Sequence, residues 1–113
     1  NYSIGEYTTK YMVDIDGTIC ITENRDYPNS KPISDRIAKM NWLYDQGHEV
    51  HYWTARGTTS GKDWLELTKQ QLKDWGVKHH SINTGKPDYD VWVDDKARHA
   101  EVFFKAYVMY KGK

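Results

Sequence analysis

Short apolar runs alternate along this 113-residue chain with segments in which apolar side chains recur at the spacing of a helix. Strands and helices in such alternation form a parallel sheet with helices on both faces. The sequence therefore predicts a three-layer, Rossmann-like α/β fold in one domain over 1–113, with 1–9 as an N-terminal extension. Strands are predicted at 10–15, 48–53, 80–83 and 90–93, helices from 34 to a stop at Gly47, over 62–75 and near 96–103, and an edge strand at 106–110.

The segment between the first predicted strand and the first helix has the composition of a loop. Pro28 and Pro32, with Asn29 and Ser30 between them, indicate a loop or short flap over 19–32. Ser34 fits the N-cap of the helix that follows. Its predicted buried stripe consists of Ile33, Ile37, Met40 and Tyr44, and the stripe predicted for the second helix consists of Leu65, Thr68, Leu72 and Trp75.

Polar side chains follow three of the predicted strands. The segments are DIDGT at 14–18, TARG at 54–57 and the pair Asp94-Asp95. Because parallel strands end at one edge of the sheet, where such folds bind ligands, we expect these segments to meet there. Asp14 and Asp16 would share a face of an extended backbone, and two buried acids so close need a cation or a shared proton. An EF-hand is a poor match, since its glycine comes sixth in the loop and Gly17 comes fourth.

These segments, taken in order with a lysine between the second and the last, resemble the four motifs of the haloacid dehalogenase superfamily. The resemblance covers residues 10–104. It implies a capless member of that fold, because only a flap separates Gly17 from the first helix and one helix and one strand fill 54–86. The details WTAR, GKP and VDDKA look most like small phosphatases from capsule and surface-polysaccharide biosynthesis.

The resemblance implies roles for individual residues. Asp14 would be the nucleophile that forms an aspartyl-phosphate, and Asp16 the general acid and base, with a raised pKa. Thr54 would bind phosphoryl oxygens, and Lys86, with Lys62 as the fallback, would hold Asp14 ionised. An acid at the position of Asp16 favours a phosphatase over other chemistries of the superfamily. Further substrate contacts would come from Gly17, Thr18, Ala55 and Arg56, and Mg²⁺ would be held by Asp14, the main-chain carbonyl of Asp16, Asp94 and Asp95.

Several residues allow two interpretations. Arg56 is expected either at the mouth of the site, holding a substrate carboxylate or second phosphate, or on the surface as an ordinary arginine. Cys20, the only cysteine, is either a small buried hydrophobe or an oxidisable thiol. The segment at 57–63 resembles a P-loop but is one residue short and lacks the final Ser or Thr, so that reading is rejected.

Composition limits the partners. Sixteen basic and sixteen acidic residues balance, and no basic stripe stands out, so nucleic acid is an unlikely ligand. No run has the length of a membrane span and the N-terminus does not resemble a signal peptide, which together predict a cytoplasmic protein without a membrane partner. Five Trp and nine Tyr are many for a small core.

The function expected from the sequence is magnesium-dependent hydrolysis of a sugar phosphate or similar small phosphate ester through an aspartyl-phosphate. The alternatives are a polynucleotide 3′-phosphatase and a catalytically inactive relative that serves as a binding module. An open site and abundant aromatic residues further predict a homo-oligomer, in which a neighbouring chain or the flap closes the site.

Overall fold

The computed structural model describes residues 8–58 and 63–106. Within these ranges, strands β1 (Lys10–Asp14), β4 (Glu49–Trp53) and β5 (Ser81–Asn83) form a parallel sheet in the order β1-β4-β5. Helix α1 (Ser34–Asp45) connects β1 to β4, and α2 (Leu65–Asp74) connects β4 to β5. Helix α3 (Ala100–Ala106) follows. The α/β class and the first three predicted strands are confirmed, each within about one residue of its expected bounds.

The predicted flap at 19–32 contains regular structure of its own. Strands β2 (Cys20–Ile21) and β3 (Lys31–Pro32) pair antiparallel, and a short 3-10 helix, Tyr27–Asn29, lies between them. The flap joins α1 through a hydrogen bond from the Ile33 N–H to the Ile19 carbonyl, 2.8 Å. It is therefore a small hairpin fixed to the start of the helix.

Both crossover helices lie on the same face of the sheet. The chain moves from β1 to β4 to β5 in one direction, and right-handed crossovers then place α1 and α2 on one side. The strand residues Val13, Val50 and Tyr52 point to that side and are buried. They share one core with Ile15, Ile19, Cys20, Ile37, Met40, Leu43, Leu72 and Val77.

The third helix packs at the β1 end of this same core. The ring of Phe103 contacts that of Tyr11, with 5.8 Å between centroids. The Lys39 ammonium of α1 donates a hydrogen bond to the Phe104 carbonyl at 2.7 Å. All three described helices are thus associated with one side of the sheet.

The opposite face of the sheet is open in the described part of the chain, which differs from the predicted layer of helices on both faces. Met12 on that face is 52% exposed. An open groove of about 400 Å³ runs along the face, lined by Lys10, Met12, His51, Trp53, Ser81 and Asn83. The prediction rested on the alternation of strands and helices, which does not determine the face on which each crossover helix packs. That face is determined by the order of the strands in the sheet.

Two further local predictions are wrong. Residues 90–93 form no strand: the described segment 84–99 contains neither helix nor strand, and Val93 is 90% exposed. Only three apolar residues stand there between Asp90 and Asp94, too few to justify burying the flanking charges. Ser34 is the first residue of α1, its N-cap being Ile33, and no side chain caps the helix.

The ends of the last predicted elements also differ. Helix α3 begins at Ala100 and not at 96, after a hydrogen bond from the Glu101 N–H to His99 Nδ1 at 3.1 Å. The predicted edge strand at 106–110 falls on Ala106, which ends α3, and on 107–110, which lie outside the described residues. No helix in the described ranges is long and apolar enough to cross a bilayer.

One polar atom in the described part of the core, the Tyr52 hydroxyl, leads to a prediction about stability. The Tyr52 hydroxyl is buried and, among the described residues, has no hydrogen-bond partner. A buried hydroxyl without a partner costs free energy, so Tyr52→Phe should leave the free energy of unfolding unchanged or raise it by about 1 kcal/mol. Urea denaturation measures this, with Leu72→Ala as the control that should lose about 2–5 kcal/mol. A loss above about 1 kcal/mol in Tyr52→Phe would show that the hydroxyl is hydrogen-bonded.

Candidate active site

The end of β1 turns sharply and presents two carboxylates at the edge of the sheet. Gly17 adopts φ +83°, a conformation that glycine reaches without strain. The turn is closed by hydrogen bonds from the Gly17 N–H to the Cys20 carbonyl and from the Ile19 N–H to the Ile15 carbonyl, at 2.8 and 3.0 Å. Asp14 ends the strand and Asp16 lies in the turn, so the sequence placed both correctly at a strand end.

Asp14 faces a mostly buried lysine. The Lys86 ammonium lies 3.4 Å from Asp14 Oδ1. Burial raises the pKa of Asp14, while the charge of Lys86 and hydrogen bonds from Lys86 and the Ile15 backbone lower it; the net direction is upward. Lys86, preferred over Lys62 from the sequence, lies beside Asp14, although its charge does not outweigh the effect of burial on the Asp14 pKa. Lys62 is outside the described residues.

The loop that follows β4 holds the backbone of Lys86 through hydrogen bonds to its N–H and to its carbonyl. The Lys86 N–H donates to the Thr54 carbonyl at 3.1 Å, and the Thr58 hydroxyl donates to the Lys86 carbonyl at 2.9 Å. The loop after β4 thus positions the lysine that faces the end of β1. The Thr58 side chain therefore stabilises this loop.

Asp16 is paired with Arg56 through two parallel hydrogen bonds. Arg56 Nε and Nη2 donate to Asp16 Oδ2 and Oδ1 at 2.9 and 2.8 Å, and the Thr22 hydroxyl donates to Oδ1 at 2.5 Å. Burial acts to raise the pKa of Asp16, but the hydrogen bonds from Arg56 and Thr22 and the arginine charge outweigh it and lower the pKa. The raised pKa expected for a general acid is therefore contradicted in this arrangement.

Arg56 is buried, so the interpretation as an ordinary surface arginine is wrong. Its remaining N–H groups donate to Gln71 Oε1 at 2.6 Å, Thr68 Oγ1 at 3.1 Å and Ser30 Oγ at 3.3 Å. Its guanidinium also lies 4.8 Å from the centre of the Tyr27 ring. The sequence did contain one indication of this arrangement. Thr68 is a polar residue within the predicted apolar stripe of the second helix, and its hydroxyl is one of the buried partners of Arg56.

The flap is connected to Asp16 and Arg56 directly. Thr22 and Ser30, one on each side of its tip, share a 2.5 Å hydrogen bond between their hydroxyls. The Gln71 side-chain amide donates to the Tyr27 carbonyl at 2.6 Å. Cys20, at the base of the flap, is buried and burial raises its pKa to about 11, which favours the buried-hydrophobe interpretation over the reactive thiol.

The other residues predicted to contact substrate form hydrogen bonds within the loops after β1 and β4. Thr54 is buried, and its hydroxyl accepts the Arg56 N–H at 3.0 Å. The Ala55 carbonyl accepts the Thr58 N–H at 2.9 Å, which closes the turn after β4. Gly17 and Thr18 line the outside of the β1 turn, where the Thr18 carbonyl accepts a hydrogen bond from Arg36 at 3.1 Å. Beside these loops lies a polar pocket of about 240 Å³, lined by Arg56, Gly57, Thr58, Asp63, Trp64, Thr84 and Gly85.

The predicted magnesium ligands are assembled only in part. Asp94 and Asp95 are exposed, and Asp94 accepts hydrogen bonds from the Lys96 N–H at 3.1 Å and from Trp92 Nε1 at 3.4 Å. The described residues contain no group of three His, Cys, Asp or Glu side chains placed to hold a metal. In this arrangement Asp14 faces a lysine and Asp16 an arginine, so both carboxylates are paired with cationic side chains.

No protein-family model matches the chain, and no curated protein matches it. The fold is similar to that in the crystal structure of an MCSG target from Vibrio cholerae, with a TM-score of 0.81 and 25% sequence identity. The match covers 90% of this chain and 92% of that one. The name of that protein states no activity. The likeness therefore supports the α/β fold and carries no information about function.

The Asp16–Arg56 pair predicts a large effect on stability. Arg56→Met leaves the Asp16 carboxylate without its cation and should lower the free energy of unfolding at pH 7 by about 3–5 kcal/mol. Arg56→Lys keeps the charge but loses the two parallel hydrogen bonds, so it should recover only part of the loss. Urea denaturation of the three proteins measures the differences.

The same experiment has a pH dependence of known sign. Because the pKa of Asp16 is lowered on folding, the pair contributes stability above the ordinary Asp pKa and loses it as the pH falls through the lowered value. The difference between wild type and Arg56→Met should therefore shrink below about pH 4. A Met variant as stable as wild type at pH 7 would contradict the assignment.

Proposed function

We propose that the protein is a magnesium-dependent phosphomonoesterase of the haloacid dehalogenase type, acting through an aspartyl-phosphate. The observation that carries the proposal is the Asp14–Lys86 pair at the carboxyl edge of a parallel sheet, with a second aspartate two residues further on. A carboxylate beside a fixed cation suits attack on an anionic phosphate, because the cation offsets the charge repulsion. The ordered motifs of the sequence add independent support.

The reaction divides into two displacements at phosphorus. A bond forms between an Asp14 carboxylate oxygen and phosphorus while the ester P–O bond breaks, and the leaving oxygen takes a proton from Asp16. Water then attacks the aspartyl-phosphate, gives a proton to Asp16 and releases inorganic phosphate, which restores Asp14. Lys86 neutralises charge on the transferred group in both steps.

This sequence of steps requires Asp16 to change its partners. Held by Arg56 and Thr22, the carboxyl is ionised and has no proton to donate. We propose that bound substrate draws Asp16 away from Arg56, so that the carboxyl is protonated beside the leaving oxygen. Arg56 keeps Thr68 and Gln71 as partners on α2, which allows it to remain in place.

Magnesium belongs to the proposal on the evidence of the motifs. Asp14 would be its first carboxylate ligand, with the main-chain carbonyl of Asp16, and Asp94 and Asp95 would have to approach them from the exposed segment after β5. Bound there, the ion would act as a Lewis acid on the phosphoryl oxygens.

The substrate is proposed to be a small phosphate ester, a sugar phosphate in particular. Equal numbers of acidic and basic residues do not favour a polyanion, which argues against a polynucleotide. The motif details support a role in capsule or surface-polysaccharide biosynthesis. A homo-oligomer whose neighbouring chain covers the open site remains part of the proposal.

The first test is removal of the nucleophile. Asp14→Asn preserves the side-chain volume but cannot attack phosphorus, so phosphate release should fall by about a thousandfold or more. Phosphate release from a panel of sugar monophosphates measures this, with circular dichroism to verify folding. Asp90→Asn, which changes an exposed carboxyl outside the site, is the matched control and should retain activity. Substantial turnover by Asp14→Asn would exclude the proposed intermediate.

The second test is metal dependence. Exhaustive chelation should abolish phosphate release, Mg²⁺ should restore it, and Ca²⁺ should restore it poorly because it prefers more ligands at longer distances. Initial rates with added ions measure the effect. Full activity after chelation would remove magnesium from the proposal, and no activity under any condition would favour the binding-module alternative.

A further inference from the structure

Three aromatic side chains form a surface beside Asp14, which we call the aromatic platform: Trp53, Tyr89 and Trp92. Trp53 ends β4 and is the register partner of Asp14, so the two side chains leave the same face of the sheet. The Trp92 ring packs edge-on against Trp53 with 6.0 Å between centroids, and the Tyr89 ring lies 5.0 Å from Trp92. The platform therefore adjoins the end of β1 on the open face.

Lys86 connects the platform to the proposed nucleophile. Its ammonium lies 5.3 Å from the centre of the Tyr89 ring and 3.4 Å from Asp14 Oδ1. The ring centre can be no farther from that oxygen than these two distances together, a span within the length of a hexose monophosphate. A phosphate held by Lys86 would thus place its organic part within reach of the rings.

Two of the three rings are exposed, and the indole N–H groups of the two tryptophans already have acceptors. Tyr89 is 43% exposed and Trp92 is 40% exposed. The indole N–H of Trp53 donates to the Thr84 carbonyl at 3.2 Å, and that of Trp92 donates to Asp94 at 3.4 Å. The two indoles consequently offer a ligand their apolar ring surface.

The shape of the platform favours a puckered ring over a flat one. The planes of Trp53 and Trp92 meet at 86°, and those of Tyr89 and Trp92 at 55°, so the rings form a corner and not a parallel slot. A planar base stacks best between parallel faces, whereas a sugar ring can place its C–H groups against two inclined ones. The open groove next to Trp53 is lined by the polar side chains of Ser81, Asn83 and His51, which hydrogen-bond to one another.

We infer that the aromatic platform binds the sugar ring of the substrate and determines the preference for sugar phosphates over esters without a ring. This inference rests on the proposed function for the position of the phosphate at Asp14 and Lys86. It assigns Trp53, Tyr89 and Trp92 as specificity-determining residues, with Lys86 shared between phosphate binding and the platform. Loss of an aromatic contact costs roughly a factor of ten or more in affinity.

The kinetic test compares substrates with and without a ring. We expect Trp92→Ala and Tyr89→Ala to lower kcat/KM at least about tenfold more for hexose monophosphates than for acetyl phosphate, mainly through KM. Val93→Ala changes an exposed apolar side chain of the same segment and is the matched control. It should leave kcat/KM unchanged for both hexose monophosphates and acetyl phosphate. Equal losses for both substrates would overturn the inference, since the rings would then merely hold Lys86. A larger loss for nucleoside monophosphates than for hexose monophosphates would overturn the sugar assignment.

A binding measurement separates this inference from the proposed function. Titration calorimetry with glucose 6-phosphate and mannose 6-phosphate uses Asp14→Asn alone and combined with Trp92→Ala, so that no turnover interferes. Weaker binding in the combined variant than in Asp14→Asn alone supports the platform. It does so even if the wild-type protein releases no phosphate, a result that would contradict the enzyme proposal and not the platform. Unchanged affinity on removing Trp92 would contradict the platform even in an active phosphatase.

Discussion

The site depends on one buried ion pair, that of Arg56 with Asp16. Arg56 follows β4, and its N–H groups reach the β1 turn through Asp16, the flap through Ser30, and α2 through Thr68 and Gln71. A buried guanidinium requires a partner for each donor, and here the partners belong to three different parts of the site. The geometry of the strand ends, the flap and α2 is therefore coupled through a single side chain.

The two aspartates of the β1 end experience opposite electrostatics. Burial dominates at Asp14 and raises its pKa in spite of Lys86, whereas Arg56 and Thr22 lower the pKa of Asp16 in spite of burial. The difference comes from geometry: Asp16 receives two parallel hydrogen bonds at 2.8 and 2.9 Å, and Asp14 a single ammonium at 3.4 Å. If the protein is a phosphatase, these charge states describe it before substrate rearranges Asp16.

The asymmetry of the sheet determines which side chains surround the end of β1. Since β1, β4 and β5 follow one another in space, the two crossovers cover one face and leave the other to solvent in the described residues. Asp14 and Trp53 emerge on that open face in register. No described helix covers this end of the sheet on the open face, and Tyr89 and Trp92 lie beside Lys86 and Trp53 there. If the proposed phosphate site is correct, these rings are the surface next to it.

The sequence by itself determined the α/β class and the strand that ends at Asp14, because apolar periodicity and the polar residues at strand ends are local properties. It did not determine the environment of Arg56, since its partners lie up to 40 residues away and are ordinary polar residues. Nor did three apolar residues between acids at 90–94 suffice for a strand. Which face a helix covers, and in which direction the pKa of each carboxyl shifts, were decided only by tertiary structure, because burial and ion pairing depend on residues distant in the chain.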